Sequence, residues 1–371
     1  MTKSTFSRRS FIKTSAAASA AIAVAGLGNS KFAFSQGAGY YHPLDSLPHT
    51  RTWMAFPDSV AIYGRSLLAG MQSDITSVAN NIAKFEPVFM IANSNSVAKA
   101  QSMVGSGVTV IPIPLDDCWM RDSGPIFRIN GTGGINCLGM NFNGWGNKQT
   151  HAKDALVAQN VAAYLGLPFT AAPFVSEGGA IATDGAGTLM ATESSIVNPN
   201  RNPNLTQAQL TTDILAAYGA TKFIWFVGIK GQDITDDHVD GTSLFVSPGS
   251  ALVEAPYPGD TSIWATDEND QASILSSSTD AQGNAISVTR LGDPNYNTLS
   301  SNIEYAGYAN LYPCNGGVMM IETGDAKTDA AAKSVVESAF PGRVVVQISI
   351  NHLAESGGGI HCVTQQQPVP L

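Results

Sequence analysis

A cysteine, a histidine and several carboxylates stand next to glycines in this sequence. Cys362 follows Gly357-Gly358-Gly359-Ile360-His361, and a histidine lies within Asp236-Asp237-His238-Val239-Asp240-Gly241. A third group is Glu177-Gly178-Gly179. Each group falls at the end of a predicted strand, where loops commonly carry functional side chains. Because a cysteine is a soft nucleophile and a nearby histidine can transfer protons, the combination predicts covalent catalysis by a thiolate.

A fourth cluster, Trp119-Met120-Arg121-Asp122-Ser123-Gly124-Pro125, adds an aromatic ring and another carboxylate. Each cluster by itself is also typical of a structural turn, because Gly-Gly pairs form turns and an aspartate before Ser-Gly-Pro often caps one. Together the four clusters supply a nucleophile, a proton-transfer group, carboxylates, and glycines that let the backbone approach a ligand closely. Their joint occurrence favours an enzyme.

The clusters are embedded in short strands that alternate with helices or pair across tight turns. This mixture predicts an α/β fold and argues against a simple doubly wound parallel sheet. Strands are predicted at Val88–Asn93, Val108–Pro114, Ile135–Asn143, Lys222–Gly228, Gly317–Glu322 and Val344–Ile350, with a hairpin of Thr242–Val246 and Ala251–Ala255. Helices are predicted at Met71–Phe85, His151–Leu165, Thr206–Tyr218 and Ala326–Phe340.

Residues 1–36 are predicted to be a twin-arginine export signal, which places the mature protein in the periplasm or outside the cell. Ser7-Arg8-Arg9-Ser10-Phe11-Ile12-Lys13 precedes an Ala-rich apolar stretch from Thr14 to Leu27. The stretch is too short to hold a bilayer span, so no stable membrane insertion is expected once the signal is removed. Because no linker interrupts the remainder, residues 37–371 are predicted to form one catalytic domain.

The mature chain is acidic. Five of the 20 Lys and Arg residues precede Gln36, so 15 remain against 29 Asp and Glu, a formal charge of −14. Nucleic acid is therefore an unfavourable partner, whereas a small cationic ligand is attracted to such a surface. The sequence leaves the oligomeric state open.

Four cysteines are present, at positions 118, 137, 314 and 362. An even number in an exported protein is compatible with two disulfides. A chain of this length is stabilised by burial without them, so we expect Cys118, Cys137 and Cys314 to be buried and inert. The spacing matches no metal site, and no metal or organic cofactor is predicted.

The sequence resembles the agmatine deiminases, part of the guanidino-modifying superfamily that includes bacterial peptidyl-arginine deiminase. The likeness runs from about Pro48 to Pro368 and implies a fold of five pseudosymmetric ββαβ units around a central channel. The matching segments are Thr52-Trp53-Met54-Ala55-Phe56-Pro57, Asp116-Asp117-Cys118-Trp119-Met120-Arg121-Asp122-Ser123-Gly124-Pro125, Phe142-Asn143-Gly144-Trp145-Gly146, Glu177-Gly178-Gly179, Asn198-Pro199-Asn200-Arg201-Asn202-Pro203, His238-Val239-Asp240 and the Gly-rich segment ending at Cys362.

The resemblance also implies roles for five residues. Cys362 corresponds to the nucleophile, His238 to the general acid and base, and Asp122, Glu177 and Asp240 to carboxylates around the substrate. A guanidinium carbon is a poor electrophile, so its attack requires a thiolate. Asp122 and Asp240 can each accept paired N–H bonds, and Glu177 is expected to orient His238 and favour its charged form.

Further residues receive subsidiary expectations. Gly358 and Gly359 are expected to let the backbone approach the ligand, and Trp119 and Trp145 to line its alkyl chain. His361 is expected to be structural, because neighbouring side chains in an extended segment point to opposite faces.

Two positions depart from the family pattern. Phe56 replaces a usual Trp, and Asp237 replaces a small residue before the histidine. For Asp237 two outcomes are open: its carboxylate raises the pKa of His238, or it points to solvent.

The predicted reaction is the hydrolysis of agmatine to N-carbamoylputrescine and ammonia through a thiouronium bound to Cys362. Free arginine is a poorer candidate, because its α-carboxylate would need a well-placed cation. Export suggests a peptidyl-arginine deiminase as the main alternative. An amidinotransferase, a non-catalytic periplasmic guanidino-binding protein and a papain-like protease are further alternatives. The binding protein would have no use for the cysteine, and the protease would carry its cysteine early in the mature chain.

Overall fold

The computed structural model describes residues 39–305 and 307–371. The strands are β1 (His49–Ala55), β2 (Val88–Ala92), β3 (Val108–Pro112), β4 (Ile126–Ile129), β5 (Ile135–Gly139), β6 (Phe169–Ala171), β7 (Ile181–Thr183), β8 (Thr188–Thr192), β9 (Lys222–Phe226), β10 (Ser243–Ser247), β11 (Ser250–Ala255), β12 (Ser287–Gly292), β13 (Tyr312–Cys314), β14 (Gly317–Ile321), β15 (Val344–Ile348) and β16 (Gln365–Pro368). The helices are α1 (Val60–Ile82), α2 (Val97–Met103), α3 (Met120–Ser123), α4 (Gly144–Asn147), α5 (Val157–Leu165), α6 (Glu193–Ile196), α7 (Gln207–Tyr218), α8 (Ile263–Ser276), α9 (Ala326–Ala339) and α10 (Asn351–Glu355).

The strands form five small sheets that share one pattern. In four of them, β4-β5-β6, β7-β8-β9, β10-β11-β12 and β13-β14-β15, an antiparallel pair is followed by a helix and a parallel strand. The fifth sheet, β16-β1-β2-β3, repeats the pattern with strands from opposite ends of the chain, because β16 pairs antiparallel with β1. The predicted fivefold ββαβ α/β fold is confirmed.

The local sequence explains most of the helix boundaries. α7 begins after Thr206, which forms a capping box with Gln209, as the sequence predicted. α1 begins eleven residues before the predicted Met71, because Ser59 caps it and Gly64 absorbs a kink with a φ of 68°. α8 was not predicted, since its apolar positions do not follow a clear helical period.

The core lies between the sheets and the helices that cover them. The middle strands β8 and β14 are buried along their whole lengths, as expected for strands with both faces covered. Across the described residues, none of the helices is both long and apolar enough to cross a membrane.

Five connections join one ββαβ unit to the next, at 113–125, 172–180, 227–242, 293–311 and 349–364. The residues predicted to carry chemistry fall on four of these connections. The fold therefore determines which of them can meet, because each connection is anchored by a rigid strand at both ends.

Candidate active site

Side chains from all five connections meet at one place. Asp122 comes from the first connection, Glu177 from the second, and His238 and Asp240 from the third. Cys362 comes from the fifth connection, and Asn310 from the fourth hydrogen bonds to it. Asn310 was not predicted from the sequence, and it is the contribution of the fourth connection to the site.

Gly179 marks the centre of the site. A side chain there would place its first carbon 2.7 Å from His238 Nδ1 and 3.0 Å from both Asp122 Oδ1 and Asp240 Oδ1. Three polar groups therefore face the space over a glycine that has no side chain to fill it. Two carboxylates on one small space suit a planar cation that can donate several N–H bonds.

Asp122 is fixed from two sides. The Trp145 indole N–H donates to Asp122 Oδ2 at 2.9 Å, and the Gly179 backbone N–H donates to Oδ1 at 3.0 Å. Burial, together with the charges of Asp240 and Glu177, raises the pKa of Asp122, while nearby His238 opposes the rise. Trp145 thus holds a carboxylate in addition to lining the cavity described below.

His238 is held by a buried chain of ion pairs. Its Nε2 lies 3.2 Å from Glu177 Oε2, and Arg201 Nε donates to Glu177 Oε1 at 3.0 Å. Arg201 Nη1 also donates to Asp236 Oδ2 at 2.5 Å, and that same oxygen binds Lys148 Nζ at 2.7 Å. The histidine therefore rests on a carboxylate that is itself anchored by a guanidinium.

The charges around His238 favour its protonated form. Burial alone lowers the pKa of the ring, but the charge of Asp122 and the hydrogen bond and charge of Glu177 outweigh burial and raise the pKa to about 9. Burial raises the pKa of Glu177, yet Arg201 and His238 bring it below its ordinary value. At neutral pH the pair is an imidazolium and a carboxylate.

Cys362 lies against Asn310 and Asp240. Asn310 Nδ2 is 3.2 Å from the sulfur, and Asn310 Oδ1 accepts the Cys362 backbone N–H at 3.3 Å. The thiol lies 3.8 Å from Asp240 Oδ2. Burial, followed by the charges of Asp240 and Asp122, raises the pKa of the thiol well above its ordinary value. Without a ligand the sulfur is therefore a neutral thiol.

His361 does not lie in an extended segment, so the reason given for its structural role was wrong. Residues 360–363 form a turn, and the ring reaches Asp240 instead of pointing away from the site. Its Nδ1 lies 2.7 Å from Asp240 Oδ2, and its Nε2 lies 2.8 Å from Asp45 Oδ2. Burial raises the pKa of Asp240, but the hydrogen bond and charge of His361 bring it below its ordinary value.

Known proteins with the same organisation identify the family. The sequence model of the Porphyromonas-type peptidyl-arginine deiminases matches residues 41–368, which is most of the chain. The chain belongs to this family.

Sequence relatives and a solved structure also support the predicted resemblance of this deiminase-family chain. A protein of Streptomyces coelicolor named "Putative agmatine deiminase" is 36% identical over 341 residues, covering 88% of this chain and 98% of the relative. A Legionella pneumophila protein of the same name is 33% identical over 334 residues, covering 89% and 95%. The structure of an Enterococcus faecalis agmatine deiminase superposes with a TM-score of 0.84 at 27% identity, covering 90% of this chain and 97% of that one. The predicted family membership is confirmed.

The export signal of this family member is supported by a second match. The model of the twin-arginine translocation signal sequence matches residues 5–25, which lie outside the described residues.

A cavity of about 240 Å³ opens beside Cys362 and Asp122 in this deiminase-family site. Of the described residues that line it, none is a lysine or an arginine, and the two charged residues are Asp122 and Asp117. The complete lining is Ile62, Tyr63, Leu67, Asp117, Trp119, Asp122, Trp145, Gln149, Ile234, Thr235, Ser356, Gly357, Gly358 and Cys362.

The glycines before Cys362 make room for protein groups. A side chain at Gly358 would lie 2.3 Å from the Trp119 ring, and one at Gly359 would lie 2.5 Å from Asn310 Oδ1. Gly358 and Trp119 line the cavity. Gly359 is not among the lining residues, and its lack of a side chain leaves room for the Asn310 amide that contacts Cys362.

The two departures from the family pattern lie in the interior. Phe56 is fully buried. Asp237 is also fully buried, so the possibility that it points to solvent was wrong, and its Oδ2 accepts the Ile229 backbone N–H at 2.8 Å. The charges that raise the pKa of His238 are those of Asp122, Glu177 and Asp240.

The other three cysteines are buried and none of them forms a disulfide, as predicted. Burial raises the pKa of Cys137 to about 12 and also raises the pKa values of Cys118 and Cys314. A buried thiol of this kind is unreactive.

One cluster of carboxylates was not predicted from the sequence, because its members lie far apart along the chain. Oxygen atoms of the buried residues Glu254, Glu268 and Asp293 lie within 4.8 Å of one another. Glu254 Oε1 accepts the Ala309 backbone N–H at 2.9 Å, next to Asn310. The cluster thus supports the connection that delivers Asn310 to the site.

Proposed function

We propose that this protein hydrolyses the guanidinium group of agmatine to N-carbamoylputrescine and ammonia, using Cys362 as the nucleophile. The observation that carries the proposal is the convergence of His238 Nδ1, Asp122 Oδ1 and Asp240 Oδ1 on the space over Gly179, beside the Cys362 sulfur. A guanidinium in that space meets two carboxylates, a proton donor and a nucleophile.

Asp122 and Asp240 bind the planar cation. Each presents Oδ1 to the space over Gly179, while their Oδ2 atoms are held by Trp145 and His361. Paired N–H bonds to these oxygens fix the guanidinium carbon in line with the sulfur, which provides the orientation that the reaction needs.

The substrate itself activates the nucleophile. Burial and the two aspartate charges keep Cys362 protonated in the absence of a cation. A bound guanidinium compensates those charges, so the thiol loses its proton to solvent and the Asn310 N–H faces the resulting thiolate.

His238 transfers the protons of both half-reactions. The thiolate attacks the guanidinium carbon and forms a tetrahedral adduct. Protonated His238 then donates its proton to the departing nitrogen, and ammonia leaves a thiouronium bound to Cys362. Neutral His238 takes a proton from water, and the resulting hydroxide attacks the thiouronium. The adduct then expels the thiolate and releases its hydroxyl proton to solvent, which leaves the neutral ureido product and a protonated His238 ready for the next cycle. Glu177 orients the ring and supports its charged state.

The cavity favours agmatine over free arginine. Of its described lining residues none is a cation that would bind an α-carboxylate, whereas Asp117 adds negative charge for an amine. A volume of about 240 Å³ suits a molecule smaller than a drug-sized ligand, for which pockets begin near ~300 Å³. The apolar residues Ile62, Leu67 and Ile234 suit a methylene chain.

The test is ammonia release by residues 37–371 from agmatine, from free arginine and from an arginine-containing peptide, with Cys362→Ala as the control. We expect release from agmatine that is lost in the variant. Release from the peptide alone would replace the proposal with a peptidyl-arginine deiminase, the candidate that export favours. Release from none of the three would overturn both.

Export of the protein to the periplasm or the medium is proposed together with this function, on the strength of the signal match at residues 5–25. Cell fractionation tests it, with Arg8→Lys/Arg9→Lys as the matched variant. Equal amounts of wild type and variant in the cytoplasm would contradict export.

A further inference from the structure

His361 lies between two carboxylates, and both of its ring nitrogens are occupied. Nδ1 is 2.7 Å from Asp240 Oδ2 and Nε2 is 2.8 Å from Asp45 Oδ2. An ionised carboxylate accepts hydrogen bonds but donates none. When both carboxylates are ionised, both nitrogens carry protons and the ring is an imidazolium, in agreement with the directions in which the pKa values of these three groups shift.

The charges around this ring alternate in sign. Asp45 accepts a hydrogen bond from Gln366 Nε2 on Oδ1 at 2.7 Å, and its Oδ2 lies 3.8 Å from Arg121 Nη1. Along these contacts the charges are Asp240 negative, His361 positive, Asp45 negative and Arg121 positive. Arg121 and Asp240 are buried, whereas the side chains of His361 and Asp45 are partly exposed.

We propose that His361 is a positioning residue that keeps Asp240 ionised and directs its free oxygen at the substrate guanidinium. The inference rests on the proposed function and identifies the part of the site that determines affinity for the cation. Both ring nitrogens of His361 are occupied by Asp240 and Asp45, so His361 acts on the substrate through Asp240.

The need for such a group follows from the two aspartates. Asp122 Oδ1 and Asp240 Oδ1 face the same buried space over Gly179. Two buried carboxylates that face one space raise each other's pKa, and a protonated carboxyl group would bind a cation weakly. The imidazolium stabilises the charge of Asp240 at Oδ2 and leaves Oδ1 for the ligand.

The direction of the pKa shifts agrees with this arrangement. The pKa of Asp122, whose oxygen lies 3.7 Å from His238 Nδ1, is raised mainly by burial, whereas that of Asp240, at 2.7 Å from His361 Nδ1, is lowered despite burial. Burial and the charge of Arg121 lower the pKa of His361, but its bonds to Asp240 and Asp45 raise it above its ordinary value. The groups that face the ring are thus Asp240, Asp45 and Arg121.

The experiment measures the binding of guanidinium ion, and separately of agmatine, by calorimetry in the Cys362→Ala background, where no turnover occurs. We expect His361→Asn to weaken binding by roughly 10- to 100-fold, the range expected for loss of one charge-assisted contact. The loss should grow as the pH falls, because Asp240 without its cation becomes protonated at a higher pH.

His352→Asn is the matched control, since His352 also pairs with an aspartate, Asp74, at 3.3 Å and does not line the cavity. It should bind guanidinium like the parent. A role of His361 in stability alone would lower the melting temperature of His361→Asn and leave its affinity unchanged at every pH, and that result overturns the proposal.

A double-mutant cycle with Asp45→Asn tests the role of the second carboxylate. We expect Asp45→Asn alone to weaken binding less than His361→Asn, and the double variant to bind no worse than His361→Asn. Additive losses would mean that Asp45 does not act through His361.

The same measurement separates this proposal from the proposed function. If the wild type releases no ammonia from agmatine but guanidinium binding still depends on His361, the proposed function fails and the positioning role holds. If guanidinium does not bind the Cys362→Ala protein at all, the positioning role fails.

Discussion

Two histidines in this site are each placed next to two carboxylates, yet their contacts differ. His361 has both nitrogens within 2.8 Å of a carboxylate oxygen. His238 has one such partner, Glu177 at 3.2 Å, while its Nδ1 lies 3.7 Å from Asp122 Oδ1 and faces the space over Gly179. A ring with both nitrogens occupied can hold a charge but has no nitrogen available to exchange a proton with substrate.

The difference shows how the same two residue types, a histidine and a carboxylate, can serve two different functions in one site. His238 keeps one nitrogen available to the ligand, as a general acid and base requires. His361 has no nitrogen available to the ligand, and it fixes the carboxylate of Asp240 instead. The anchors differ as well, since Glu177 is held by the permanently charged Arg201 whereas Asp240 is held by a group that titrates.

The largest effect is expected from His238→Asn. Loss of the proton-transfer group should lower kcat by about 10²- to 10⁴-fold, with little change in KM for agmatine. His361→Asn should instead raise KM more than it lowers kcat. Steady-state kinetics of the two variants measures kcat and KM separately. If both variants change mainly kcat, or both change mainly KM, the two histidines do not have the different roles assigned to them.

Gly179→Ala should abolish productive binding, because the new methyl group would lie 2.7 Å from His238 Nδ1 and 3.0 Å from both aspartate oxygens. We expect kcat/KM to fall by roughly 100-fold or more, as is typical of a misplaced reacting group. Gly292→Ala is the control, since nothing lies within 4 Å of that position. Normal turnover by Gly179→Ala would mean that the substrate does not occupy this space.

Glu177→Gln should lower the pKa of His238 from about 9 toward its ordinary value of 6.5, because it removes one of the charges that favour the imidazolium. The stability contributed by charged His238 is fully present below 6.5 and is lost as the pH rises through about 9. The wild type should therefore have a larger free energy of unfolding than the variant. This difference should be greatest on the acid side of the pH range between 6.5 and about 9. An NMR titration of the ring in the Cys362→Ala background measures the pKa, and an unchanged value would refute the assigned role.

The smallest effect is expected from Asp237→Asn. Its carboxylate accepts the Ile229 backbone N–H, and the main charges that raise the pKa of His238 are those of Asp122, Glu177 and Asp240. Asparagine tolerates the φ of 75° at this position. The pKa of His238 should shift less than in Glu177→Gln. An equal shift in the same titration would show that Asp237 tunes the histidine after all.

The sequence and its family resemblance predicted five residues of one site, because each belongs to a short segment with a recognisable neighbour pattern. The resemblance supplied the fold, since no internal repeat is visible in the residues themselves. The structure brings Cys362, His238, Asp122, Glu177 and Asp240 to one place. Their roles in the reaction remain proposals.

Residues that act across long separations were missed. Asn310 lies in the ordinary apolar run Tyr308-Ala309-Asn310-Leu311-Tyr312, and it contacts Cys362 from 52 positions away. Asp45 meets His361 across 316 positions, and no local pattern marks it. Arg201 belongs to a segment noted for its resemblance, but nothing in its neighbours indicates that it anchors Glu177. Such pairings depend on the tertiary fold and leave no periodic signal.

The pairing of β16 with β1 makes the position of Cys362 depend on two distant parts of the described chain. Cys362 lies three residues before β16, and β16 pairs antiparallel with β1. A chain trimmed of Gln365–Pro368 would therefore lack one strand of its first ββαβ unit and the anchor of Cys362 together. Proteolysis at this one strand should disturb both the closure of the fold and the geometry of the site.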